Sequence, residues 1–165
     1  MAVKNLNKYS IQESLNRTYE VFTVTPTLDV SGAYADADVL FNPTAVTGLF
    51  DDVNDACMIK SITAIDTDDQ GIAFEIYFTT SNTDFGTINA TAGIADNTAI
   101  LGGVKMSPLD AANDFDNFRT YTTDNIDLVI QADGSTPNVY IAGIAGGTPT
   151  HSVSGLTIKI GVKYL

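Results

Sequence analysis

Gly71-Ile-Ala-Phe-Glu-Ile-Tyr-Phe-Thr-Thr80 decides the class of fold to expect from this chain. Ile72, Phe74, Ile76 and Phe78 point to one side of an extended backbone, and Ala73, Glu75, Tyr77 and Thr79 point to the other. The chain closes on the same pattern: Leu156, Ile158, Ile160 and Val162 alternate with Thr157, Lys159, Gly161 and Lys163. Ile126, Leu128 and Ile130 alternate with Asp127, Val129 and Gln131. Less regular strands fit 19–25, 37–42, 57–66, 116–122 and 138–144. Turns are expected at Asn42-Pro43, Asp68-Asp69-Gln70-Gly71, Ala132-Asp133-Gly134 and Gly146-Gly147-Thr148-Pro149. About eight short strands at this spacing predict an all-β chain folded as an antiparallel β-sandwich, not a parallel α/β sheet. Only 89–103 lacks strand character. There Asp96 is expected to cap a single helical turn that Gly102 ends, a crossover on one rim.

Composition agrees. The 165 residues suit one compact domain, or one domain plus a short arm. Hydrophobic residues make up 44% of the chain, enough for a core, while charged residues reach only 17%. Asp supplies 17 of the 20 acids, and Thr occurs 21 times. Thr packs on pleated sheets and Asp sits in turns. The net charge of -12 opposes a nucleic-acid-binding face, which needs a basic patch.

The charge is unevenly distributed. Residues 1–17 carry Lys4, Lys8 and Arg17 against Glu13, a net of +2, and the rest of the chain stands at -14. Ile11 and Leu15 lie four apart, and Ser10 with Glu13 has capping-box spacing. One or two helical turns of that kind need something to pack on. Residues 1–17 are therefore expected to be an N-terminal arm, with 18–165 as the sandwich. Lys4, Lys8, Ile11, Leu15 and Arg17 are its candidate partner-binding residues, docking on a neighbouring acidic subunit. The opening residues lack the apolar core of a signal peptide, and no stretch nears the roughly 18 apolar residues of a membrane span.

Catalytic and metal-binding hardware is sparse. Cys57, the single cysteine, lies in Ala56-Cys57-Met58-Ile59 and reads as a buried small hydrophobe. His151 is the single histidine, in a turn where it is expected to be solvated. No GxSxG elbow, phosphate loop or zinc set of His and Cys accompanies it. No enzyme, cofactor or resident metal is expected. Asp66-Thr-Asp-Asp-Gln-Gly71 resembles the opening of a calcium loop, but Tyr77 stands where a bidentate Glu is required. The segment is expected to be a tight acidic hairpin between strands 57–66 and 72–80. Asp51, Asp52 and Asp55, and then Asp110, Asp114 and Asp116, form two further acidic loops. Lys159 and Lys163 read as guards on a sheet edge. Thr25-Pro-Thr-Leu-Asp-Val-Ser-Gly32 and Thr148-Pro-Thr-His-Ser-Val-Ser-Gly155 share the pattern TPTxxVSG. Their likeness is either chance or a shared strand-exit geometry in two halves of a Greek key.

The order of features carries a resemblance over residues 20–165. Val24-Thr-Pro-Thr-Leu-Asp29 leads to Ala33-Tyr-Ala-Asp-Ala-Asp-Val-Leu40, then Met58-Ile-Lys-Ser-Ile-Thr-Ala-Ile65 and Phe74-Glu-Ile-Tyr-Phe78. Leu101-Gly-Gly-Val104 and Leu156-Thr-Ile-Lys-Ile-Gly-Val-Lys-Tyr164 follow. This resembles the small β-sandwich virion proteins of tailed bacteriophages. The resemblance implies a jelly-roll-like fold and a capsid decoration or cement role on the particle exterior. It also implies trimers over local symmetry axes, with the major capsid protein or other virion proteins as partners. It supplies no catalytic residues. The rival expectation is a tail or neck component, or a carbohydrate-recognising module with Tyr34, Tyr121 or Phe118 as an exposed aromatic platform.

Overall fold

The computed structural model describes residues 19–94, 97–107 and 117–165. Eight strands form in chain order: β1 (Tyr19–Val24), β2 (Val39–Ala45), β3 (Ala56–Asp66), β4 (Ala73–Thr79), β5 (Ile100–Met106), β6 (Arg119–Gln131), β7 (Tyr140–Gly146) and β8 (Leu156–Tyr164). They make two antiparallel sheets of four, in the orders β1-β8-β3-β6 and β2-β7-β4-β5. The chain changes sheet at every connection except β4 to β5. That interleaved order is the eight-stranded jelly roll, two Greek keys wound together. The expected all-β antiparallel sandwich is the observed fold.

Period-two patterning explains the core directly. Phe74, Ile76 and Phe78 of β4 face Ile158, Ile160 and Val162 of β8 in one cluster, all buried. Each such side chain contributes about 1.5–3 kcal/mol when fully removed from water. Strand β3 shows why its own pattern looked irregular. Cys57 and Ile59 are buried, then Ile62, Ala64 and Asp66, so the inward phase slips by one residue. The slip is a bulge at Lys60, which has no register partner between the pairs Ile59–Val162 and Ser61–Gly161. Without it, Ser61 and Thr63 would face the core in place of Ile62 and Ala64. On the other side β6 fits three residues between the partners of Ile59 and Ser61. Asn125 and Asp127 take positive φ there, and Lys60 pairs with Asp127 across the bulge.

Several expectations need correction. Residues 66–73 are no hairpin: β3 pairs with β6 and β8, whereas β4 pairs with β5 and β7, so this acidic segment carries the chain from one sheet to the other. A local turn motif fixes a reversal but not which sheet receives the next strand. Asn42-Pro43 lies within β2, at a register irregularity that absorbs the proline. Residues 97–99 form one 3-10 turn, but β5 begins at Ile100, so Gly102 is a strand residue opposite Phe78. The strands expected at 116–122 and around 126–131 are one strand, β6, because the bulge hides its continuity. Lys159 and Lys163 guard no edge, since β8 lies between β1 and β3.

Cys57 is buried, as its apolar neighbours suggested, and burial pushes its thiol up to about 12. An aromatic disulfide reagent should therefore modify Cys57 only as fast as the protein opens. Rapid labelling of the folded protein would contradict this burial.

Candidate functional site

The two sheets differ in what covers their outer faces. Residues 80–94 lie over the β2-β7-β4-β5 sheet, where Val39, Phe85 and Ala142 make a second small core. Asn42 ties this cover down by donating to the Gly86 carbonyl (2.9 Å) and accepting from the Phe85 amide (2.8 Å). Among the described residues nothing covers the β1-β8-β3-β6 sheet in that way.

Register places the side chains of that open face in rows, because cross-strand partners project to the same side. Tyr19, Lys163, Met58 and Val129 form one row. Val21, Gly161, Ser61 and Asp124 form the next, followed by Thr23, Lys159, Thr63 and Thr122. Thr157, Ile65 and Thr120 come last, with Thr25 Oγ1 3.4 Å from Thr157 Oγ1. Tyr19, Val21 and Val129 are 66%, 64% and 50% exposed. The exposed apolar side chains thus lie toward one end of the strands, interspersed with Lys163 and Asp124, and the other end is rich in Thr. Tyr19 and Val21 lie on β1 and Val129 on β6, the two edge strands of this sheet, whose outer sides pair with no described strand.

A second feature lies at the rim where β3 leaves its sheet. The segment 66–71 meets the loop 148–155, which precedes β8. Asp66, at the buried end of β3, accepts from the amides of Asp68 (3.0 Å) and Gln70 (2.7 Å). The Asp68 carboxylate reaches across to the other loop and accepts from the Ser152 amide (2.7 Å) and hydroxyl (2.9 Å). Gln70 completes the clamp, its side chain accepting from the Thr150 amide and donating to the Asp68 carbonyl. His151 Nδ1 lies 3.3 Å from Asp68 Oδ2 and 3.8 Å from Asp66 Oδ1. The edge of Tyr34 closes the other side of the imidazole, with ring centroids 6.2 Å apart. Arg119 pairs with Asp69 at 2.9 Å on the flank.

Burial sets the electrostatics here. It raises the Asp66 carboxyl above 3.8 despite the two amide hydrogen bonds and His151. Burial also pushes Asp68 upward, but the Ser152 hydrogen bonds and His151 outweigh it and leave that group lowered.

The sequence-stated sites fare unequally. Lys4, Lys8, Ile11, Leu15 and Arg17 lie outside the described residues, as do Asp110, Asp114 and Asp116. His151 is not solvated: it is only 6% exposed, drawn in by Asp68 and Tyr34. Tyr34 and Tyr121 are core residues, so they form no exposed platform; Tyr121 packs edge-on against Phe74. Phe118 is half-buried. The paired TPTxxVSG segments lie against each other, with the Leu28 amide donating to the Val153 carbonyl (3.0 Å) and that of Tyr34 to Pro149 (2.9 Å). The equivalent positions Leu28 and His151 are both buried, and Val30 and Val153 both exposed, so the two segments share a burial pattern at one rim. That repeat was the only sequence signal placing His151 inside.

The strand order defines a jelly-roll protein, one sheet of which no described segment covers on its outer face. Among the described residues no helix is long and apolar enough to cross a membrane. No family model matches the chain, and no curated protein sequence matches it. Among solved structures, a chain of the native virion of Kashmir bee virus at acidic pH aligns with 99% of this chain and 80% of its own length. The identity is 11% and the TM-score 0.29, values that establish neither a shared fold nor a shared role.

Proposed function

We propose that this chain is a structural virion protein, a decoration or cement protein on the exterior of a tailed-phage capsid, acting through surfaces without catalysing a reaction. The carrying observation is the open β1-β8-β3-β6 face, with Tyr19 and Val21 exposed on one edge strand and Val129 on the other. A lone soluble domain has no use for exposed apolar side chains on free edge strands, which invite pairing. A neighbouring shell protein, the major capsid protein first among them, covers that surface. The basic arm enters β1, one of these edge strands, and tethers the acidic body to the next subunit, multiplying weak contacts across a repeated lattice. The jelly-roll strand order fits the same reading, and the resemblance to phage accessory proteins supports it and implies assembly as a trimer.

Deleting residues 1–17 tests the tether. Occupancy on purified particles should fall at least tenfold at a subsaturating concentration, equivalent to about 1.4 kcal/mol per site. Val21→Asp, which charges the open face, should give a comparable fall while leaving the melting temperature unchanged. Unchanged occupancy in both variants overturns the proposal.

A further inference from the structure

The rim cluster holds more than a clamp requires. Hydrogen bonds from Ser152 and Gln70 suffice to fasten 66–71 to 148–155, yet Asp66 and His151 are additionally brought together, 2% and 6% exposed. One carboxylate oxygen from each of Asp66 and Asp68 and one imidazole nitrogen of His151 all lie within 4.8 Å of one another. Two ligand atoms at about 2.1 Å from a tetrahedral ion stand about 3.4 Å apart. The observed 3.3 Å and 3.8 Å from His151 Nδ1 bracket that spacing.

The cluster is also preorganised. Asp66 is aimed by two backbone amides and Asp68 by Ser152, the outer hydrogen bonds that orient metal ligands in general. Gly155 makes room, since a Cβ there would lie 1.7 Å from Asp68 Oδ2. A second sign comes from Tyr121. Among the described residues its hydroxyl is the buried side-chain polar atom without a hydrogen-bond partner. It projects from the same inward side of β3-β6, opposite Ala64 and so two register pairs before Asp66, and the Asp66 charge acts on it. The Ile72 amide lies near enough to influence that hydroxyl without meeting hydrogen-bond geometry. The Tyr121 hydroxyl is thus a buried polar group left without a partner on the Asp66 side of the cluster, and such groups are costly to bury unpaired.

We propose that Asp66, Asp68 and His151 bind one divalent cation of the zinc class. The set of two oxygens and one imidazole nitrogen suits a borderline transition metal; calcium, which takes oxygen ligands in larger number, is a poorer match. Water reaches the remaining position from the side of Asp68, the most exposed of the three ligands. The cation rivets the crossover between the sheets to the loop before β8, a structural role separate from the open face.

The test uses the full chain, stripped with a chelator and titrated with Zn2+, with Co2+ as a spectroscopic probe and Ca2+ and Mg2+ as controls. One equivalent of Zn2+ should bind, and at a hundredfold excess over Kd the melting temperature should rise by about 5–10 °C. Co2+ should give a visible absorption band from a low-coordinate, nitrogen-ligated ion, which Zn2+ abolishes and Ca2+ does not. His151→Ala should lose the band, and Asp68→Asn should weaken binding at least tenfold, circular dichroism confirming that each variant is folded. Should either fail to fold, the band in the intact protein and its displacement by Zn2+ alone decide. No stoichiometric uptake, or uptake insensitive to these substitutions, overturns the proposal.

Discussion

Gly143→Val should destabilise the protein by about 3–5 kcal/mol, the scale of truncating a buried phenylalanine. Gly143 of β7 is the register partner of Phe41 of β2, and the Phe41 ring lies against it. A Cβ at Gly143 would stand 2.2 Å from one ring carbon and under 3 Å from two more. Phe41 is fully buried, so the ring has no solvent to swing into. Either it leaves the core and forfeits its burial, or β2 separates from β7. For a chain of this size the melting temperature should fall by about 6–20 °C. Pairing Gly143→Ala with Phe41→Leu should recover about 1 kcal/mol or more relative to the sum of the single changes, because both act on one contact. A valine variant that melts with the parent would show that the ring does not pack on the glycine.

Gly155→Val should cost about 2–4 kcal/mol through a different route. Its Cβ displaces no apolar side chain; it occupies the position of the Asp68 carboxylate. Asp68 then loses the Ser152 amide and hydroxyl and the His151 contact, charge-assisted bonds worth about 1.5–3 kcal/mol each before solvent compensation. The partial exposure of Asp68 reduces that total, since water replaces some of what is lost. The Gly155 carbonyl, which accepts from the Thr67 amide (2.8 Å), holds the same two segments together. The loop 148–155 should therefore loosen as a unit. Amide exchange of Ser152 and Gly155 should accelerate more than that of β4 or β8, whereas Gly143→Val should raise exchange throughout the core. Uniform acceleration in both variants would contradict a local role for the corner.

The strands that could be read from the sequence are those with one unbroken phase. Phe74, Ile76 and Phe78 in β4 and the Leu156–Val162 alternation in β8 follow period two without interruption, and both were visible. β3 and β6 were blurred because a bulge at Lys60, matched by Asn125 and Asp127, shifts the inward side partway along each strand. β5 was missed because Gly102 and Gly103 carry no side chain to alternate; Gly103 instead lies under the Tyr77 ring. The rim cluster was invisible for another reason. Asp66 and His151 are 85 positions apart, and only the order in which strands enter the sheets brings the segment after β3 against the loop before β8.

Composition and periodicity by themselves determined an acidic antiparallel sandwich of about eight strands, a buried Cys57 and a charge divided between a basic start and an acidic body. Those properties depend on residue type and near neighbours, which a linear chain displays. The tertiary structure alone decided that 66–73 crosses between sheets, that β8 is central and β1 an edge, and that the lone histidine is held between two carboxylates. Each of these depends on which distant strands share hydrogen bonds, a choice made by the packing of the whole core and written in no single segment.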